Sequence, residues 1–219
     1  MYKRKEIIGD CTLYLGDCLE VMPLLGEVDS VVCDPPFGMN YKKNKNITRT
    51  APIKNDDSLL LFDYVTSIEP LHSSYIFGRW DNLINIKKKP KSVITWDKVK
   101  HSMGDLKHEH GRTTELIFFY NGVNHFFPLA RPNDTIKCLR TEDTKHPNQK
   151  PAQLMQAIIE WTAGVVLDAC MGSGTTLVAC AKMNRKGIGI ELDEGYFDIA
   201  CKRVEDAYRQ PNMFYGGLK

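Results

Sequence analysis

Asp34-Pro35-Pro36-Phe37, at the end of the apolar run Val28 to Cys33, brings together groups that could grip a flat, amino-bearing ring. A run of this kind fits a strand buried in a parallel sheet, and such sheets present ligand-binding residues at their carboxyl ends. Proline has no backbone N–H and a fixed φ, so Pro35-Pro36 makes a rigid bend whose carbonyls stay outside any ladder and can accept hydrogen bonds. A carboxylate, a free carbonyl and the Phe37 ring then lie within one turn. Two oxygens can take the two hydrogens of an exocyclic amino group while the ring stacks on its heterocycle.

A second candidate site begins at Val165. Strand-like residues run to Asp168, then Ala169-Cys170-Met171-Gly172-Ser173-Gly174 forms a turn of small residues and Thr175-Thr176 opens a helix. Small residues let backbone approach a ligand closely, and a helix N-terminus offers unpaired N–H groups to an anion. The phosphate loop pattern fails because no Gly-Lys pair follows, and the dinucleotide fingerprint fails at its third glycine position, which is Leu177. A nucleoside remains open. Gly187 to Glu191 supplies a further strand ending in a carboxylate, where an acid holds ribose hydroxyls in this class of fold.

These sites need elements to position them. The spacing predicts a strand over Cys11–Leu15, a short helix over Cys18–Leu25, the Asp34 strand, a helix over Ser58–Leu71, and strands over Ser74–Trp80, Ser92–Trp96 and Glu115–Tyr120. A helix from Pro151 to Thr162, the glycine-turn strand, a helix over Ser173–Met183, the Glu191 strand and a terminal amphipathic helix over Glu194–Tyr208 follow. Residues 123 to 145 read as irregular. Alternating strands and helices with short joints indicate one α/β domain spanning residues 1–219, a doubly wound, mostly parallel sheet with helices on both faces.

The 219 residues carry a net charge of only +2, but its distribution is uneven. Residues 1 to 37 hold seven acids and three bases, whereas 38 to 55 hold five bases, among them Lys42, Lys43, Lys45 and Arg49, and no acid. Residues 87 to 112 hold eight bases and three acids. Such clustering is expected of a surface that tracks phosphates. Residues 38 to 57, leaving the Asp34 turn with few apolar side chains, read as a mobile basic flap. No apolar run approaches the roughly 18 residues of a membrane span, and the start lacks an apolar signal core, so a cytoplasmic protein is expected. The seven cysteines form no C-x-x-C pair and the histidines no ligand spacing, so reduced thiols and no metal are expected.

The chain resembles S-adenosylmethionine-dependent DNA amino-methyltransferases, in the permuted arrangement called the beta group. Asp34-Pro35-Pro36-Phe37 is similar to that family's D-P-P-[Y/F/W] catalytic motif, and Leu167 through Thr176 to its glycine-rich cofactor motif. His146-Pro147-Asn148-Gln149-Lys150-Pro151 is similar to its H-P-T-Q-K-P segment. The resemblance implies a Rossmann-like methyltransferase fold with the catalytic motif ahead of the cofactor motif, S-adenosylmethionine as methyl donor, and double-stranded DNA as partner; homodimerisation is common in the group. It implies that Asp168, Gly172, Ser173, Gly174 and Thr175 line the cofactor's methionine end, with Cys170 and Lys150-Pro151 beside it. Glu191 would hold the ribose and Asp17 the adenine ring. Asp34 and the Pro35 carbonyl would grip the target amino group, Phe37 would stack on a flipped base, and Lys42 to Arg49 would clamp the backbone. Asp at the head of the motif favours adenine N6 over cytosine N4; a protein amide target and a catalytically inactive cofactor- or nucleic-acid-binding module also stay open. Short target-recognition segments are expected within 98–145. Cys170 departs from the phenylalanine usual there, and Asn148 from the usual threonine or serine.

Overall fold

The computed structural model describes residues 1–38, 58–100, 108, 110–140 and 149–210. The flap at 39–57, with Lys42, Lys43, Lys45 and Arg49, lies outside the described residues, as do His146 to Asn148 and parts of the 98–145 stretch. One nine-stranded sheet organises the rest. In chain order its strands are β1 (Arg4–Ile8), β2 (Cys11–Leu15), β3 (Ser30–Cys33), β4 (Ser73–Gly78), β5 (Ser92–Asp97), β6 (Thr114–Asn121), β7 (Thr135–Lys137), β8 (Val166–Asp168) and β9 (Gly187–Glu191). Their spatial order is β1-β2-β9-β8-β3-β4-β6-β5-β7. The five strands β2, β9, β8, β3 and β4 are mutually parallel, and only β1 and β6 run against the rest.

Alternation along the strands divides the interior in two. Val32, Tyr75, Phe77, Ile117 and Phe119 face one core, and Val31, Cys33, Ile76, Phe118 and Tyr120 the other. Helices α4 (Ala152–Glu160), α5 (Thr175–Lys182) and α6 (Glu194–Arg209) cover the first face; α1 (Cys18–Val21), a 3₁₀ turn (Met22–Leu24) and α2 (Leu60–Ser67) cover the second. In α4 the fully buried Leu154, Ile158 and Ile159 recur at helical spacing, each worth about 1.5–3 kcal/mol of transfer free energy. A short helix α3 (Asn82–Asn85) follows β4.

Three elements differ from expectation. β1 is an added edge strand, antiparallel to β2, and β7 pairs in parallel with β5 inside the stretch read as irregular. The Cys18–Leu25 helix breaks after Val21, where Pro23 tightens the chain into the 3₁₀ turn. Among the described residues no helix is long and apolar enough to cross a membrane.

Candidate active site

The winding of the sheet creates the site. From β3 the chain crosses through α2 to β4 on one side, and from β8 through α5 to β9 on the other. Adjacent parallel strands whose crossovers diverge leave a crevice at their carboxyl ends. β3 and β8 are those strands, with Val31 opposite Leu167, so the Asp34 turn and the glycine turn lie side by side although 134 residues separate Asp34 from Asp168. The next strands outward, β9 and β2, end at Glu191 and Leu15, which are register partners. Asp17 therefore joins the same rim.

The glycine turn is held from several directions. Met171 N–H donates to the Ile190 carbonyl at 3.0 Å, and Gly172 N–H to Glu191 Oε2 at 2.9 Å. Gly172 has φ +53 and Gly174 φ +79, conformations that favour glycine. A Cβ at Gly172 would meet nothing within 4 Å, so this position opens on free space, whereas one at Gly174 would lie 2.8 Å from Ala200 Cβ. Arg203 of α6 donates to the Ser173 carbonyl, to Ser173 Oγ at 2.8 Å and to Thr175 Oγ1 at 3.2 Å. Ser173 Oγ also donates to Gln149 Oε1 at 3.4 Å, which ties the segment before Lys150 to the turn. Pro151 caps α4 just ahead of its first residue.

Each acid on the rim has a distinct environment. Asp168 is buried; Cys170 N–H donates to its Oδ1 at 3.1 Å and the Thr176 hydroxyl to its Oδ2. Burial pushes its carboxyl up to about 7 despite those two bonds. Glu191 accepts from Gly172 N–H and, at 2.7 Å, from Asp193 N–H, and burial raises its carboxyl as well. Asp17 caps α1, accepting from Leu19 N–H at 2.9 Å, so its side chain has a structural partner at the place proposed for adenine. Cys170 faces Cys18 and Cys33; hydrogen bonding among these thiols, then burial, raises it well above its ordinary value.

Asp34 sits in an ion-pair network legible only in three dimensions. Lys150 Nζ lies 2.8 Å from Asp34 Oδ2 and 3.2 Å from Glu115 Oε2, over the Phe77 ring at 4.8 Å. Glu115 also meets Arg140 at 2.8 Å and Lys98 at 3.4 Å. Asp34 Oδ1 is shielded from solvent and has no partner among the described residues. Burial raises the Asp34 carboxyl against the pull of Lys150. Burial also opposes the Lys150 charge, but Asp34 and Glu115 outweigh it and hold the ammonium above its ordinary value. Glu115 is pushed up by burial yet brought down to about 2 by Lys150, Arg140 and Lys98. Beside the motif, Asn82 Nδ2 donates to the Phe37 carbonyl at 3.3 Å, anchoring the aromatic turn to α3.

Several of these residues escape a sequence reading. Lys98 belongs to a basic run that looks solvated, yet it is buried on Glu115. From the same run Lys87 pairs with Asp63, Lys88 with Glu69, and Lys89 donates to the Leu83 carbonyl, so much of that charge is engaged within the fold. Arg203 stands three residues after buried Ala200, at the margin of the α6 apolar stripe, which is the one signal it gives. Trp96, by contrast, is structural, with Nε1–H donating to the Cys138 carbonyl at 2.7 Å.

The chain is also similar to known proteins. A family model described as DNA methylase matches residues 127–202. The HindIII type II methyltransferase of Haemophilus influenzae is 33% identical over 136 residues, covering 60% of this chain and 40% of that protein. The solved structure of an M1.HpyAVI–SAM complex superposes with TM-score 0.63 at 26% identity, covering 88% of this chain and 99% of that one. The cytosine-N4-specific PvuII DNA methyltransferase superposes with TM-score 0.70 at 16% identity, covering 95% of each chain, and speaks for the fold. The chain spans well under half of the first curated relatives it matches, 21% to 40% of their lengths. In fold, in motifs and in the relatives it matches, the chain is similar to S-adenosylmethionine-dependent DNA methyltransferases.

Proposed function

We propose that this protein transfers a methyl group from S-adenosylmethionine to the exocyclic amino group of a base in DNA, with adenine N6 as the target. The observation that carries the reading is Asp34 Oδ1, a buried acceptor without a partner among the described residues, at the end of the strand next to the one that leads into the glycine turn. Open space at Gly172 and the three rim acids fit a nucleoside bearing a positive charge. Bound there, S-adenosylmethionine would supply a methyl group already activated by its sulfonium. Gly172, Ser173, Gly174 and Thr175 would enclose its methionine end with Asp168, and Glu191 the ribose, its oxygens keeping lone pairs beyond those used by Gly172 and Asp193.

The protein's own part is positioning and electrostatics. A base must leave the stack to reach the crevice, and Phe37 would stack on it. Asp34 Oδ1 and the Pro35 carbonyl would accept the two amino hydrogens, drawing the nitrogen out of conjugation so that its lone pair points at the methyl carbon. As positive charge develops on nitrogen the Asp34 carboxylate would stabilise it, and the surplus amino proton would then leave to solvent. Pro36 keeps the turn rigid. Lys42, Lys43, Lys45 and Arg49 remain the proposed phosphate contacts, and double-stranded DNA the proposed partner. Asp at the head of the motif supports adenine over cytosine N4.

The test is transfer of labelled methyl to unmethylated DNA, with the modified base resolved by mass. Asp34→Ala is expected to abolish transfer while donor binding persists. Near-normal turnover in that variant would overturn the reading, and label in N4-methylcytosine would redirect it to cytosine.

A further inference from the structure

We propose that Lys150, braced by Glu115, is a positioning residue that holds Asp34 by Oδ2 and so leaves Oδ1 as the acceptor for the substrate. The inference rests on the reading of Asp34 as the acceptor of the target amino group. Lys150 enters from the start of α4 and crosses above β4, reaching Asp34 at the end of β3 and Glu115 near the start of β6. It passes over the Phe77 ring on the way, so one ammonium links three neighbouring strands. Among the described residues its contact with Asp34 is to Oδ2 alone, and Oδ1 has no partner. A carboxylate gripped at one oxygen cannot rotate without breaking a charge-assisted bond, which is among the stronger hydrogen bonds proteins make.

The arrangement also sets charge. Only an ionised Asp34 offers both oxygens as acceptors; once protonated it could present a donor to the amino group. The groups bearing on Asp34 are Lys150, Glu115 across β4, Asp168 at the end of β8 and the neighbouring thiol of Cys33. Burial and Glu115 favour the protonated form, and Lys150 alone opposes it. Glu115 in turn is kept ionised by Arg140 and Lys98 as well as Lys150, so it braces the ammonium throughout the neutral range. A cofactor ligand, the role suggested by the resemblance, would leave Asp34 to titrate as its burial dictates.

Wild-type transfer to DNA is measured first, and its absence would count against the proposed function rather than against this assignment. With turnover in hand, kcat and the donor KM are followed from pH 5 to 9 for Lys150→Met and Lys150→Arg. Removing an opposite charge at this distance should move the acidic limb of kcat upward by about 1–3 pH units. The Lys150→Met loss should then be about tenfold or more at pH 6 and largely recovered at pH 9, with donor KM little changed. Lys150→Arg should keep the wild-type limb. A loss of equal size at every pH, or a raised donor KM with kcat unchanged, would overturn the assignment. If Lys150→Met fails to fold, Glu115→Gln decides: leaving Lys150 to Asp34 alone, it should lower the limb, and a limb that rises or stays in place refutes the proposal.

Discussion

Asp168→Asn should make the protein more stable and less active, and the pH dependence of the gain can be worked from the site. The Asp168 carboxyl is buried and raised to about 7 from an ordinary value of 3.8, with no cation among the described residues at ion-pair distance. An acid whose folded pKa lies above its unfolded one favours folding least when ionised. Its contribution is intact below pH 4, declines as pH rises through 4 to 7, and is fully lost above 7. Roughly three pKa units correspond to about 4 kcal/mol. Asparagine keeps the shape, can accept from Cys170 N–H and can turn its amide to Thr176, but does not ionise. Urea unfolding of both proteins at pH 5 and pH 8 should show the variant's advantage growing by about 3 kcal/mol, since roughly two of the three units titrate above pH 5. In thermal terms this is about 6–12 °C. Other titrating groups are common to both chains and cancel in the difference. An advantage of the same size at both pH values would refute the reasoning.

Two further outcomes follow from contacts at the crevice. Phe37→Ala should lower kcat/KM on DNA by about tenfold to a hundredfold, the worth of one base–aromatic stack, while donor affinity holds; the same labelled-methyl assay checks it, and Phe37→Trp should restore most of the loss. Gly174→Ala adds a Cβ 2.8 Å from Ala200 Cβ at φ +79. The left-handed conformation alone costs about 1–2 kcal/mol, so the melting temperature should fall by about 2–8 °C, and an unchanged value would show that the turn does not depend on this glycine.

What the sequence reveals depends on whether a residue's neighbours lie along the chain or across it. β9 is read to its final residue because apolar alternation, bounding polar groups and a terminal acid all fall within five residues. β1 is hidden because Arg4, Lys5 and Glu6 look like a polar tail; it is an edge strand whose outer positions stay exposed. β7 has three residues, two of them exposed, and is defined by its pairing with β5 rather than by composition. The two halves of the site are legible singly, since each is an apolar strand ending in an acid and a turn of restricted residues. Lys98 and Glu115 are not: their partners come from β6, the residue after β5 and the chain ahead of α4, and a buried lysine within a basic run carries no local mark of its burial.

The charge at the three strand ends follows from this topology. β9, β8 and β3 are neighbours, and each delivers a carboxylate to one rim: Glu191, Asp168 and Asp34. Burial raises all three. Asp34 is answered by a full positive charge from Lys150, Glu191 by two backbone N–H groups, and Asp168 by one N–H and one hydroxyl. Among the described residues Asp168 and Glu191 have no cation at ion-pair distance, which leaves the crevice a rim whose acids a positive ligand would help to ionise, the more so in a low-dielectric cleft. A ligand with a cationic sulfur complements it; the same ligand stripped of its methyl group is neutral at sulfur and does so less well. For the proposed reaction, the electrostatics that draw the donor in therefore weaken once transfer is complete, which favours exchange of spent product for fresh donor at a site that otherwise binds both by the same contacts.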